Sequence, residues 1–174
     1  MDTRPRSVAG EAGRERRQTT AAGKMGKQTE EGWRPHYRAF FRDLKVALSR
    51  KRIKAVLEPS YEHHFVVGQG DHVLGAVLMR LSATGNWKLN VEWFERWTVD
   101  MDLRPIAVLL TGRTRGYVVE PKRLEHLRAQ WGRSADGAHY LIPERHVRAC
   151  PRFTTAEECA LALVEAVRAS SPTT

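Results

Sequence analysis

The sequence predicts an α+β or α/β fold, in which a central, mostly antiparallel or mixed sheet of about five to six strands is flanked by three helices. Three observations support this prediction. Strand-sized apolar segments recur through the middle of the chain, apolar residues at helical spacing precede and follow them, and proline or glycine separates most segments. The apolar fraction of 41% and the charged fraction of 28% are typical of a globular domain.

Composition divides the chain into three parts. Residues 1–32 are rich in Gly, Ala, Thr and charge, so we predict a disordered basic arm that cannot bury enough apolar surface to offset its ordering entropy. Residues 33–170 are predicted to form a single globular α/β domain, and residues 171–174 a frayed tail.

The first helix is predicted to begin at Pro35, because proline is tolerated in the first helical turn, where its missing N–H would have no partner. Apolar residues then follow the spacing of one buried helical face, and the helix is expected to stop before Pro59. That apolar face comprises Tyr37, Phe40, Phe41, Leu44 and Leu48.

Three strand-like segments come next, and we predict that they form an antiparallel meander. They are Tyr61–Val67, Val73–Leu81 and the alternating stretch from Trp87 to Trp93. The continuous apolar run Pro105–Thr111 predicts a central strand, which a glycine-bounded turn connects to a strand over Tyr117–Glu120.

The C-terminal part is predicted to add two helices and a short strand. Pro121 begins the second helix, and Gly132 is the expected stop. His139–Ile142 reads as a strand. The third helix begins at Thr154–Glu158, a capping-box arrangement.

Positive charge is concentrated near the N-terminus. The net charge is +9, residues 55–174 carry equal numbers of acidic and basic residues, and residues 34–54 contain Asp43 as their one acidic residue. A basic arm beside a basic helix is typical of a surface that neutralises backbone phosphates, so we predict a nucleic-acid-binding accessory protein, with DNA as the expected ligand. The predicted contacts are Arg34, Arg38, Arg42, Lys45, Arg50, Lys51, Arg52 and Lys54.

Other interpretations stay open at this point. An acidic protein partner would also fit the basic arm and helix, whereas a membrane fits less well because the apolar helix face is needed to cover the sheet. Four aromatic residues could stack on unpaired bases, although their alternation favours the core. The histidines do not have the spacing of a zinc site. The aromatic residues are Trp87, Trp93, Phe94 and Trp97.

Two carboxylates suggest an enzymatic alternative. Asp71 lies in the turn that enters one strand, and Glu92 lies on the next predicted strand; such a pair can share a divalent metal that activates water. Over residues 26–131 this arrangement resembles the PD-(D/E)xK nuclease superfamily, which implies a Mg²⁺-dependent endonuclease with Asp71 and Glu92 as catalytic and metal-binding residues. The chain departs from that pattern, since Gly70 replaces the proline and Phe94 the lysine.

The cellular location is expected to be cytoplasmic and reducing. Cys150 and Cys159 are too few for a disulfide framework, and no apolar run reaches the length of a membrane span or forms a secretory signal.

Overall fold

The computed structural model describes residues 19–57, 64–100 and 104–170, and the chain forms two compact units, Met1–His36 and Tyr37–Thr174. The second unit carries the sheets. In chain order the helices and strands are α1 (Thr19–Arg50), β1 (Lys54–Leu57), β2 (His64–Gln69), β3 (His72–Leu81), β4 (Asn86–Asn90), α2 (Val91–Glu95), β5 (Pro105–Leu110), β6 (Gly116–Val119), α3 (Pro121–Arg128), β7 (Gly132–Arg133), β8 (His139–Pro143), α4 (Glu144–Val147), β9 (Arg152–Phe153) and α5 (Ala156–Ser170).

The strands of the described residues form two sheets. The larger has six strands in the order β1-β2-β3-β5-β6-β9, and all its neighbours are antiparallel except β3 and β5, which are parallel. The smaller has three antiparallel strands in the order β4-β8-β7. The parallel pair requires a crossover, and β4, α2 and a π-helical turn at Arg96–Asp100 lie within it.

The six-stranded sheet is buried on both faces. Helices α1 and α5 cover one face, where Tyr37 donates a hydrogen bond of 2.8 Å to the carbonyl of Met79. The three-stranded sheet, α2 and α3 cover the other face, where Trp87 Nε1 donates a hydrogen bond of 2.8 Å to the carbonyl of Leu110. Consecutive residues of β3, β5 and β6 alternate between these two cores, as the pleat of a strand requires.

The predicted fold class is confirmed. The structure is α+β with a mixed sheet, and the three predicted helices correspond to its three longest, α1, α3 and α5. The strands predicted around residues 73–81, 105–111, 117–120 and 139–142 also form, with bounds that shift by one or two residues.

The start of the first helix is a correction. Helix α1 begins at Thr19, so Pro35 lies inside it and does not open it. Residues 19–32, for which we predicted a disordered arm, are helical in the structure. Residues 1–18 and 171–174 lie outside the described residues, and the predicted domain division stays a prediction.

The predicted meander is also corrected. It consists of β1, β2 and β3, so it starts one strand earlier than the sequence suggested, and β4 belongs to the other sheet. The strand that starts near Trp87 ends at Asn90, whose side-chain oxygen accepts a hydrogen bond of 3.0 Å from the backbone N–H of Trp93 and caps α2. Gly132 lies in β7, because α3 already ends at Arg128.

No helix within the described residues has both the length and the apolar character that crossing a membrane requires.

Candidate nucleic-acid interface

Helix α1 separates its apolar and cationic residues onto different faces. Tyr37, Phe40 and Leu44 are buried against the sheet, whereas Arg38, Arg42 and Lys45 are exposed. At 3.6 residues per turn these three cations fall within an arc of about 60° on the solvent side. We call Arg38, Arg42 and Lys45 the α1 stripe.

Further cations surround the C-terminal end of the helix. Arg50, Lys51, Arg52 and Lys54 are all exposed. The chain leaves the helix at Arg52, whose φ of 60° is left-handed, and the N–H of Ile53 donates to the carbonyl of Leu48 over 3.0 Å. Cations near a helix C-terminus also interact favourably with the helix dipole, which offers an ordinary structural role for them. Arg34 lies within α1, but its side chain is outside the described part.

Arg42 and Arg50 each make an ion pair with a carboxylate. Arg42 Nε lies 3.5 Å from Asp43 Oδ1, with side chains 77% and 61% exposed, and Arg50 pairs with Glu157 at the start of α5. Exposed pairs of this kind contribute about 0–1 kcal/mol, because water and salt screen them. Asp43 and Glu157 therefore do not neutralise the positive face of α1.

The structure places Asp71 and Glu92 on different elements. Asp71 is exposed in the tight turn between β2 and β3, and Glu92 is exposed in the first turn of α2 instead of on a strand. Trp93, which follows Glu92, contacts the ring of His64, and His64 pairs with Leu78. Leu78 is seven residues from Asp71, which is about 23 Å along a strand. Metal binding by the two carboxylates stays a prediction.

No three His, Cys, Asp or Glu side chains of residues 19–57, 64–100 and 104–170 form a group that could hold a metal ion. β2 and β3 contain no carboxylate. Near the end of this strand pair that includes His64, the Nε2 atom of His64 lies 3.2 Å from Nη2 of Arg80. Arg80 Nε also donates to the carbonyl of Lys88 over 3.1 Å.

The aromatic residues behave mainly as core. Trp87, Phe94 and Trp97 are at most 2% exposed, which confirms the interpretation that their alternation favoured. Trp93 is half-buried and contacts Trp97 edge to face. The guanidinium carbon of Arg96 lies 5.3 Å from the centre of the Trp93 ring. A stacking platform for several bases would need more exposed rings than Trp93 provides.

Sequence reasoning missed a second group of cations, centred on Tyr117. The ring of Tyr117 lies 5.6 Å from the guanidinium carbon of Arg152, and its hydroxyl donates a 2.7 Å hydrogen bond to Glu144 Oε1. Burial raises the pKa of Tyr117 and the bond to Glu144 acts in the same direction, while the nearby charges of Arg152 and Arg148 oppose them. The sequence does indicate a local excess of positive charge, because residues 104–152 contain ten Arg or Lys and four Asp or Glu.

The two cysteines have a structural character. Both are free and buried, and burial raises the pKa of each thiol, most strongly for Cys159. Thiols in such surroundings are poor nucleophiles and poor metal ligands, because both roles need the thiolate.

Comparison with known proteins gives a weak structural resemblance. No protein-family model and no curated protein matches the sequence. Among solved structures, the chain resembles Hjc, a Holliday junction resolvase from the archaeal hyperthermophile Archaeoglobus fulgidus, with a TM-score of 0.44 and 16% sequence identity over 68% of this chain and 98% of that chain. Because this similarity is low, it assigns neither a family nor a function to the chain.

Proposed function

We propose that this protein binds nucleic acid, with duplex DNA as the expected ligand, and that cations of α1 contact the phosphate backbone. The observation that carries the proposal is the α1 stripe, in which Arg38, Arg42 and Lys45 share the one helical face that is turned away from the core. Cations on a rigid element are held close together at fixed spacing, so several phosphates can be neutralised at once.

The predicted binding is electrostatic and therefore depends on salt. Each phosphate that a Lys or Arg neutralises releases condensed counterions, so affinity falls as salt rises. The positive surface extends beyond the α1 stripe to four exposed cations around the C-terminal end of the helix, which are Arg50, Lys51, Arg52 and Lys54. No base-reading side chain is part of the proposal, and we expect similar affinity for duplexes of different sequence.

Charge reversal of the stripe tests the proposal. We expect Arg38→Glu, Arg42→Glu and Lys45→Glu together to abolish binding to a generic duplex at moderate salt, measured by fluorescence anisotropy. The wild-type plot of log affinity against log salt should be steep, and neutralising the same three residues to Gln should lower its slope by about 3.

Two controls separate a specific surface from general charge. The variant with Arg38→Lys, Arg42→Lys and Lys45→Arg keeps the charge and should keep most of the affinity. Reversal of three exposed cations away from α1, Lys88→Glu, Arg96→Glu and Lys122→Glu, makes the same change in net charge and should weaken binding much less. Equal losses in the stripe variant and in this control would contradict the proposed interface.

The alternative ligand for the same surface is an acidic protein. A pulldown from extract, performed with and without nuclease treatment, distinguishes the two ligands. Nucleic-acid binding predicts that the captured material disappears after treatment, whereas partners that persist would favour the acidic-protein alternative.

The enzymatic alternative is a Mg²⁺-dependent endonuclease that uses Asp71 and Glu92. Its support is that both carboxylates are exposed and accessible to a substrate. Incubation of the purified protein with plasmid and Mg²⁺ or Mn²⁺ tests it. Cleavage that survives Asp71→Ala with Glu92→Ala would show that these two residues are not catalytic.

We also propose a reducing, intracellular location for the protein, with which the two free cysteines agree.

A further inference from the structure

A cavity of about 420 Å³ lies between the C-terminal end of α1, the hairpin of β2 and β3, and α5. Small-molecule sites in proteins usually have volumes of about 300–1,000 Å³, so this space is large enough for a ligand. The buried residues among those that line it belong to the core beneath α1 and α5. We call this space the α1–α5 cavity.

The walls of the cavity are aliphatic. Helix α5 contributes three of the five apolar residues, because positions 161, 164 and 167 recur at three-residue spacing along one side of the helix. The pairing of β2 with β3 shifts register between Val67 and Gly68, which leaves Leu74 outside the paired positions. Leu74 packs against the first core and reaches the cavity. The five wall residues are Ile53, Leu74, Leu161, Val164 and Val167.

The end of α1 supplies one wall residue and one cation. The N–H groups of Lys51 and Ile53 both donate to the carbonyl of Leu48, over 2.9 and 3.0 Å, as the chain reverses through left-handed Arg52. Ile53 is thereby buried against the first core, while Lys51 lines the cavity as an exposed residue.

The polar lining of the cavity is cationic. Lys51, Gln69 and Arg168 complete the lining, and all three are exposed. Asp71 and Glu165 are the carboxylates of the hairpin turn and of this part of α5, and neither is among the residues that line the cavity. Within the described residues, Lys51 and Arg168 make no ion pair. Two cations and an amide are therefore available to an anionic head group.

The chemistry of the walls narrows the class of ligand. None of the described residues that line the cavity is aromatic, so the ring stacking by which proteins commonly hold a nucleobase is not provided. Aliphatic walls instead favour an aliphatic chain, whose transfer from water is favourable in proportion to the apolar area that is buried. Leu161, which is 51% exposed, would be covered by such a chain.

We propose that the α1–α5 cavity binds an aliphatic monocarboxylate, with its chain against the five wall residues and its carboxylate at Lys51 and Arg168. This site goes beyond the proposed function, because its ligand is a small molecule and the α1 stripe takes no part in it. Of the lining residues, Lys51 also belongs to the cations proposed to contact nucleic acid.

The first test is calorimetric titration of the full chain with hexanoate, octanoate and decanoate, each below the concentration at which it forms micelles. We expect one site per chain, and each added methylene should tighten binding about fourfold until the chain fills the cavity. Decanol has a similar chain without the charge and should bind more weakly than decanoate. In NMR spectra, decanoate should shift the amide signals of Ile53, Leu74 and Leu161.

Two variants locate the site. Leu161→Asp places a carboxylate in the wall and should abolish decanoate binding, whereas Val46→Asp, at a helical residue that is 48% exposed and outside the cavity, should bind like wild type. Arg168→Gln should weaken decanoate binding about fivefold and leave decanol binding unchanged. Lys122→Gln removes the same charge from an exposed position on α3 and should change neither affinity.

Three results would overturn the proposal. They are the absence of saturable decanoate binding by the wild type, amide shifts confined to residues outside the cavity, and equal affinities of the wild type for decanoate and decanol. Circular dichroism verifies that each variant is folded. If Leu161→Asp does not fold, the comparison of Arg168→Gln with Lys122→Gln decides, and equal decanoate affinities of these two variants would reject the site.

Discussion

At the scale of single residues, Gly116 lies in β6 between β5 and β9, where there is no room for a side chain. A Cβ atom at this position would lie 2.2 Å from the carbonyl oxygen of Leu109 and 2.9 Å from Cζ of Phe153. The first of these is a backbone atom of the paired strand β5, so relief requires the strands to separate. Glycine is therefore required here by close packing.

This geometry predicts that Gly116→Ala destabilises the fold. Overpacking of this kind costs about 1–3 kcal/mol, and urea denaturation should show the loss as a lower midpoint. Gly132→Ala is the matched control, because nothing lies within 4 Å of the added Cβ there and the change should be within about 0.5 kcal/mol. Equal stability of the two variants would show that β5 and β6 are not paired so closely.

At the residue level, the sequence could place side chains on one face of a helix but could not foresee contacts between distant segments. The positions of Arg38, Arg42 and Lys45 on one face follow from helical periodicity, which is fixed by the sequence interval alone. Tyr117 and Arg152 are far apart along the chain, and only the pairing of β6 with β9 brings them together. No spacing rule within one element could have connected them.

At the scale of elements, Asn90 marks the change from strand to helix. The alternation from Trp87 to Trp93 predicted one continuous strand, yet β4 ends at Asn90 and α2 begins at Val91. The Asn90 side chain satisfies the N–H of Trp93, and the N–H of Val91 pairs with the carbonyl of Ala138 over 2.9 Å. An asparagine between apolar residues is compatible with either structure, so periodicity alone could not locate the boundary.

We expect Asn90→Ala to cost about 1 kcal/mol, because the helix loses its N-cap while the strand pairing is kept. Asn90→Asp retains a capping oxygen and should restore most of the stability. The measurement is the urea midpoint of the two variants against wild type. If Asn90→Ala were as stable as wild type, the capping contact would not stabilise this boundary.

At the scale of the whole unit, one sheet is shared by two cores. Val77 and Met79 of β3 face the core beneath α1 and α5, while Ala76 and Leu78 face the core beneath the smaller sheet. The sequence predicted about five to six strands, because continuous apolar runs such as Pro105–Thr111 indicate strands buried on both faces. It did not indicate that β4, β7 and β8 form a separate layer, since that depends on pairing between distant segments.

Sharing the sheet predicts that both cores unfold together. Leu44 of α1 belongs to the first core and Leu124 of α3 to the second, and each is fully buried, so each change to Ala should cost about 2–5 kcal/mol. The tryptophans at 87, 93, 97 and 131 all belong to or pack against the second core. The fifth tryptophan, Trp33, lies in α1, so the measurement uses a Trp33→Phe background, in which fluorescence reports on the second core.

Leu44→Ala is therefore the decisive variant, because it removes packing on the side that contains none of these four tryptophans. If β3, β5 and β6 couple the cores, the urea midpoint from fluorescence should fall with Leu44→Ala and coincide with the midpoint from circular dichroism. Leu161→Ala is the control, because that side chain is 51% exposed and its loss should matter little. A fluorescence transition unmoved by Leu44→Ala would mean that the two faces of the sheet fold as separate units.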